Sequence, residues 1–299
     1  MCPSPHTASA GVAAQLAEGL LGVLNAILYS SLLVAAAAAG LTAATFLFWQ
    51  QPMPLRLALL IFTATLFLYN LDSVLPYKYT QPELLSARKR WMLQHRRALL
   101  GVAIVSLGIA GWVFLFDGWL HLTPFLGHLA LISVLYSLPV LRHQGQQRSL
   151  RDVPLLKGFL IAYVWSAITV WLPALQLHQP LFSPVVLVLF ARRFFFILSL
   201  TFVFDIRDYT KDRLSGTRTF PGLFGVRAAK LLALGALGIS AVLVPPGATN
   251  QHVWVLTLPL LLTAGVIWQA NESRSDYYFA LLADGVMLLQ FLAVYWAAY

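Results

Sequence analysis

Long apolar segments, separated by short polar connections, follow one another along almost the whole chain. A run of about 20 apolar residues is long enough to cross a bilayer as a helix. Helices also satisfy their own backbone hydrogen bonds in lipid, and no alternating strand pattern competes. The sequence therefore predicts an all-α integral membrane protein with nine transmembrane helices. The predicted spans are 24–48, 54–72, 98–116, 119–140, 155–173, 182–204, 229–246, 252–269 and 277–298.

Composition and charge agree with this class. Hydrophobic residues make up 59% of the chain, charged residues 10%, and the mean hydropathy is +0.75, whereas charged residues make up about a quarter of a typical soluble domain. The net charge of +9 favours contact with anionic membrane lipids. It does not favour nucleic acid, which would need a soluble domain. Cys2 is the single cysteine, which excludes an internal disulfide framework and a thiolate metal site.

The basic residues predict the orientation. Apart from Arg56, Arg192 and Arg193, the Lys and Arg residues fall in the connections after the second, fourth, sixth and eighth predicted helices or, for Lys157 and Lys230, just inside the span that follows. By the positive-inside rule these connections are cytoplasmic, with the N-terminus inside and the C-terminus outside. A bacterial inner membrane fits the lack of organelle-targeting features.

Three carboxylates stand at the end of the sixth predicted helix, in the string Asp-Ile-Arg-Asp-Tyr-Thr-Lys-Asp at 205–212. Asp205, Asp208 and Asp212 share one face of a helix by their spacing. Charge near a bilayer is costly, and Mg²⁺ commonly bridges a few carboxylates to a substrate phosphate. These aspartates are therefore the predicted metal ligands and catalytic residues. The alternative is a set of surface ion pairs with neighbouring Lys and Arg residues.

The chain also shows a parallel internal repeat. The second predicted helix ends in Tyr-Asn-Leu-Asp at 69–72, and the sixth ends in the acidic motif, each before a long basic loop. This predicts two four-helix halves with the polar site at their interface. We interpret 1–299 as a single domain with an N-terminal cytoplasmic segment at 1–20 and cytoplasmic cap loops at 73–97 and 205–228. The basic, partly apolar segment 83–97 is either an amphipathic surface helix or a lid.

Several basic residues could bind a substrate diphosphate. Arg207, Lys211 and Arg218 surround the acidic motif. Arg193, next to Arg192 in the sixth span, either lines a substrate cavity, paired with Asp284, or snorkels from the beginning of the helix.

The acidic motif is followed by Gly-Thr-Arg-Thr-Phe-Pro at 216–221 and by Gly225. Together these residues closely resemble the second aspartate motif of the UbiA superfamily of intramembrane prenyltransferases. Tyr-Ser-Leu-Pro-Val-Leu-Arg at 136–142 and Lys157-Gly158 look like the central loop of that family. The resemblance implies a helical bundle, two pseudo-repeated halves plus one helix, around a central lateral cavity. It also implies Mg²⁺ between two aspartate-rich motifs, and substrate contacts from Arg142 and Lys157.

The first motif departs from the family pattern, which reads roughly Asn-Asp-x-x-Asp-x-x-x-Asp. Aligning on Asn70 places Leu71, Val74 and Lys78 where the three acids belong, and leaves Asn70 and the displaced Asp72 as candidate ligands. Either one metal suffices, or a cation such as Lys78 replaces part of the missing charge, or the reaction is lost.

The resemblance thus implies Mg²⁺-dependent transfer of a prenyl group from an isoprenyl diphosphate to a hydrophobic acceptor, aromatic or lipid-like, within the membrane. A terpene cyclase needs the same ionisation without an acceptor. A non-catalytic isoprenoid-binding, lipid-binding or transport protein is the remaining alternative, since function belongs to sites and not to folds.

Overall fold

The fold is a bundle of helices with one short hairpin. A computed structural model describes residues 5–75, 85–138, 141–143, 146–148, 150, 153, 155–214, 216–248 and 250–298. Its α-helices are α1 (Pro5–Tyr29), α2 (Leu32–Phe48), α3 (Leu55–Val74), α4 (Ala87–Gln94), α5 (Arg96–Phe116), α6 (Thr123–Ser137), α7 (Leu156–Ser166), α8 (Leu172–Gln176), α9 (Pro184–Arg207), α10 (Tyr209–Leu214), α11 (Phe220–Val242), α12 (Asn250–Gln269) and α13 (Asp284–Ala298). A 3₁₀ turn covers Trp119–Leu122, and π-helical turns cover Ala167–Trp171 and Tyr278–Ala283.

The described residues contain seven helical segments that are long and apolar enough to cross a membrane. They correspond to seven of the nine predicted spans, and the chain is an integral membrane protein. The predicted first span is a pair of helices bent by 52°, and α12 contains a shorter apolar helix, Trp254–Gln269. The count of nine transmembrane helices is therefore not confirmed. The seven segments are Leu55–Val74, Arg96–Phe116, Trp119–Ser137, Leu156–Gln176, Pro184–Arg207, Phe220–Val242 and Tyr278–Ala298.

The bend in the first span lies between α1 and α2, at Ser30 and Ser31. Ser31 adopts a left-handed conformation with φ of 65°, which a continuous right-handed helix does not allow. The break leaves a backbone carbonyl without a helical partner, and the Asn70 side chain of α3 donates a hydrogen bond of 2.9 Å to Ser30 O. The expectation of one continuous helix over 24–48 was wrong for this reason.

A second irregular segment lies between α7 and α8. Pro173 has no backbone N–H, so it cannot donate to the carbonyl of Thr169 four residues earlier. The hydroxyl of Thr45, on α2, donates to Thr169 O instead, at 2.6 Å. This hydrogen bond satisfies the free carbonyl and joins α2 to the π-helical turn.

The connection after α6 contains a structure that the sequence did not predict. Strand β1 (Leu141–His143) pairs antiparallel with β2 (Gln146–Arg148). Further along, Gly225 has φ of 84° and ψ of 160°, which kinks α11 after its first turn. Only glycine takes such a conformation without strain. The seventh predicted helix, expected to begin at residue 229, therefore begins with one extra turn ahead of this kink.

Helix α9 is the central helix of the bundle. Its residues 196–203 are all buried, and a helix that is buried on every side is surrounded by other elements. Phe196, Leu200 and Val203 belong to the main hydrophobic cluster, which also includes residues of α2, α3, α5, α7, α11, α12 and α13. The end of this central helix carries the acidic motif.

Candidate active site

The three aspartates lie where α9 turns into α10. Asp208 ends α9 with φ of −91° and ψ of 11°, and the hydrogen bonds continue through it, from Asp208 N to Phe204 O at 3.0 Å and from Asp212 N to Asp208 O at 2.8 Å. Because the chain keeps turning in the helical sense, Asp205 and Asp212 stay on a common side.

Lys157 of α7 lies between these two carboxylates. Its ammonium is 2.9 Å from Asp205 Oδ1 and 3.4 Å from Asp212 Oδ2. Asp205 is 3% exposed and Asp212 9% exposed, so the two charges depend on this cation for compensation. We call Lys157, Asp205, Arg207, Asp208 and Asp212 the mouth cluster.

The close packing of α7 on α9 positions Lys157. A Cβ atom at Gly158 would lie 2.8 Å from Thr201 Oγ1, closer than side-chain contacts allow. Thr201 is itself held by a hydrogen bond of 2.8 Å from its hydroxyl to Leu198 O. Glycine at 158 therefore permits the helix contact that brings the neighbouring ammonium to Asp205.

Asp208 pairs with a different cation. Arg207 donates to both of its carboxylate oxygens, at 3.2 and 3.1 Å, and the guanidinium lies over the rings of Phe204 and Phe279, 5.0 and 5.7 Å from their centroids. Burial alone would raise the pKa of Asp208, but the charges of Arg207 and Lys157 outweigh it and hold that pKa well below its usual range. Asp208 is therefore a carboxylate at any physiological pH.

Asp212 differs from Asp208 in its electrostatics. Burial raises the pKa of Asp212, the Lys157 ammonium opposes this, and the charges of Asp208 and Asp205 raise it further. An additional cation close to the three carboxylates would relieve this repulsion.

Helix α4 covers the mouth cluster from the other half of the chain. The backbone N–H of Arg88, in its first turn, donates to Asp276 Oδ2 at 2.7 Å, and Trp91 packs edge-on against Tyr29 of α1. Burial lowers the pKa of Arg88, and the positive charge of Arg207 lowers it further. Burial lowers the pKa of Lys89 to about 7; the charge of Asp208 opposes this shift, and Lys211 and Arg207 add to it.

Asn70, in the motif of the first half, connects α3 to the bend between α1 and α2. Asn70 is fully buried, and its amide donates to Leu66 O at 2.8 Å as well as to Ser30 O. Among the residues that the structure describes, Asn70 Oδ1 has no hydrogen-bond partner. Asp72 is half-buried one turn from Tyr69, and the Tyr69 hydroxyl accepts from Trp165 Nε1 of α7 at 3.1 Å.

The remaining predicted substrate contacts are distributed unevenly. Lys78 and the side chain of Arg142 lie outside the described residues. Lys211 is half-buried beside Lys89, and Arg218 is exposed. Arg193 precedes Asp208 by 15 residues of α9, about 22 Å along the helix, so it is apart from the mouth cluster. It contacts Gln290 of α13 instead of the expected Asp284.

The donor chemistry of the mouth cluster suits Mg²⁺, which prefers carboxylate oxygens. Asp205 Oδ1 is buried and makes no hydrogen bond of good geometry, although the Lys157 ammonium is at ion-pair distance. Within the described part of the chain, however, no three Asp, Glu, His or Cys side chains converge as a metal-binding group. Each carboxylate is paired with Lys157 or Arg207.

The bundle is shared with solved structures. The apo structure of a UbiA homologue from Aeropyrum pernix K1 superposes with a TM-score of 0.59, covering 89% of this chain and 97% of that one at 14% identity. The chain has the UbiA fold. A structure of digeranylgeranylglyceryl phosphate synthase also matches, with a TM-score of 0.56, coverage of 92% and 98%, and 12% identity. Neither a protein-family model nor a curated protein matches the sequence. The resemblance to the UbiA superfamily is thus confirmed at the level of the fold.

Proposed function

We propose that this protein is an intramembrane prenyltransferase that takes an isoprenyl diphosphate and a hydrophobic, aromatic or lipid-like acceptor. The observation that carries the proposal is the shared ion pair of Lys157 with Asp205 and Asp212, beside the pair of Arg207 with Asp208. The UbiA fold, shared with a digeranylgeranylglyceryl phosphate synthase, supports the same reaction class.

The diphosphate is bound by cations at the mouth. Lys157 and Arg207 come from α7 and α9, and Lys89 comes from the covering helix α4, so they approach from different elements. Lys211 lies within the acidic motif, on α10, and Arg218 lies in the connection after α10. A guanidinium matches phosphate oxygens in a bidentate geometry, and an ammonium acts as a point charge.

The acidic motif is the proposed Mg²⁺ site, with Asp208 and Asp212 as ligands and Asp205 in support. When bound, Mg²⁺ supplies positive charge that stabilises the diphosphate leaving group. Asp208 is suited to this role because its two cationic neighbours keep it ionised. Asn70, which also binds the bend of the first span, and Asp72 orient the opposite side of the diphosphate.

The reaction breaks the bond between the allylic carbon and the diphosphate oxygen, and the electron pair leaves with the diphosphate. The acceptor nucleophile then forms a bond to the carbon and releases a proton. Burial of the mouth cluster excludes water, which would otherwise capture the allylic cation. Arg207 and Lys157 stabilise the charge that develops on the leaving oxygen.

Diphosphate release tests the proposal. The protein, purified in a mild detergent, is incubated with geranyl, farnesyl and geranylgeranyl diphosphates, with and without Mg²⁺ and with hydrophobic acceptors. We expect Mg²⁺-dependent release that Asp208→Asn abolishes. Asp117→Asn is the matched control, because Asp117 pairs with Arg56 at the opposite end of the bundle. A cyclised product without an acceptor would identify a terpene cyclase.

One observation favours a second candidate, a non-catalytic isoprenoid-binding protein. Each mouth carboxylate is paired with a cationic side chain of the protein itself. Binding of prenyl diphosphates without release of diphosphate, with or without Mg²⁺, would establish this function and contradict the transferase proposal.

A further inference from the structure

A second polar site lies at the end of the bundle opposite the mouth cluster. A pocket there is formed by the last turns of α2, the first half of α9, the connection after α11, and α12 and α13. Most of its lining is apolar, including Leu189, Phe196, Val244 and Val294. Its polar lining groups are Thr45, Arg192, Arg193 and Gln290.

The two guanidinium groups have no acidic partner. No carboxylate of the described residues lies within ion-pair distance of Arg192 or Arg193. A charge at this depth in a membrane helix costs several kcal/mol unless a partner compensates it. Two adjacent positive charges in an apolar pocket therefore attract an anion.

Arg192 has a structural role that accounts for it. Its guanidinium donates to Leu243 O at 2.9 Å and to Ala241 O at 3.4 Å. These carbonyls belong to the end of α11, where a cation is favourable because the last carbonyls of a helix lack partners. Arg192 thus caps α11 and adds positive potential to the pocket.

Arg193 is not accounted for in the same way. It contacts Gln290 Oε1 and Leu41 O, both at 3.4 Å, which is beyond the usual range for an N–H···O hydrogen bond. A guanidinium has five N–H donors, so two long contacts leave much of its capacity unused. The fork geometry of arginine fits a carboxylate or phosphate best.

We propose that this pocket binds the oxyanion headgroup of an amphiphile, held by Arg193, with its apolar chain along the apolar lining. The site is about 22 Å along α9 from Asp208 and uses none of the mouth residues. It is therefore independent of the diphosphate site. The same chemistry could come from a phospholipid phosphate or from a fatty-acid carboxylate.

Lipid binding to the whole chain tests this site without any prenyl diphosphate. The protein in a non-ionic detergent is titrated with phosphatidylglycerol, oleate and diacylglycerol, which has no oxyanion, and retained lipid is counted by native mass spectrometry. We expect one phosphatidylglycerol or oleate to bind at least tenfold more tightly than diacylglycerol. Preference for phosphatidylglycerol identifies a phosphate site, and preference for oleate identifies a carboxylate site.

Variants separate the pocket from general charge attraction. Arg193→Met should weaken anion binding at least tenfold, whereas Arg227→Met, which removes an exposed arginine near the start of α11, should not. Val294→Trp keeps both arginines but fills the pocket, so it decides the question even if Arg193→Met fails to fold. Equal binding of all three lipids, or equal losses in Arg193→Met and Arg227→Met, would overturn the proposal.

Discussion

Lys157 is the residue whose replacement should disturb the mouth most. Its ammonium compensates two buried carboxylates, and the side chains of Asp205 and Asp212 are 4% and 12% exposed. Lys157→Met leaves both negative charges without this cation. Removing one partner of a buried ion pair costs about 3–5 kcal/mol, so the free energy of unfolding should fall by about that amount. Thermal unfolding in detergent should show a midpoint lowered by several degrees.

A second substitution separates charge from packing. Lys157→Met combined with Asp205→Asn removes one of the uncompensated charges, so it should recover part of the lost stability. If Mg²⁺ replaces the ammonium between the carboxylates, added Mg²⁺ should raise the unfolding midpoint of Lys157→Met more than that of the wild type. A Lys157→Met protein that unfolds at the wild-type temperature near pH 7 would refute the reasoning, because the ion pairs would then contribute no stability.

Three further predictions concern the elements around the mouth. Gly158→Ala should destabilise the protein by about 1–3 kcal/mol, because the added Cβ would lie 2.8 Å from Thr201 Oγ1. Gly101→Ala is the control and should not destabilise it, because an added Cβ there would have no atom within 4 Å. Thermal unfolding of both variants measures the difference. Thr45→Val removes the hydrogen bond between α2 and the π-helical turn and should cost about 1–3 kcal/mol by leaving a buried carbonyl unsatisfied, again measured as unfolding. Lys89 has a pKa lowered to about 7, and the charge of a bound diphosphate raises that pKa, so diphosphate binding at pH 7–8 should take up protons. Calorimetry in buffers of different ionisation enthalpy measures this proton uptake. Binding heats that are the same in every buffer would contradict the prediction.

The long apolar runs predicted most of the fold because a bilayer imposes one helix length on each span. The pattern failed where the backbone departs from a regular helix inside an apolar run. The bend after Tyr29 depends on the left-handed conformation of Ser31, and hydropathy contains no information on φ. Adjacent serines are known at helix kinks, which is the one signal in the sequence. The hairpin at 141–148 is short and polar, and it lacks the alternation that predicts strands.

The site was predicted unevenly for a related reason. The spacing of Asp205 and Asp212 on a helix predicts a shared face, and in the structure both reach the same ammonium. The identity of that ammonium came from resemblance, since Lys157 is 48 residues before Asp205 in the sequence. The surroundings of Arg193 depend on contacts among α2, α9 and α13, which no local pattern encodes.

Asn70 shows how one residue of the first motif is tied to the fold. Both of its amide hydrogen bonds are donated to backbone carbonyls, one of which belongs to the broken first span. An ionised aspartate has no donor, so it would leave the Ser30 carbonyl unsatisfied and add a buried charge. The bend at Ser31 therefore requires an amide at this position. A chain with this broken helix retains the asparagine of the motif for its two donors.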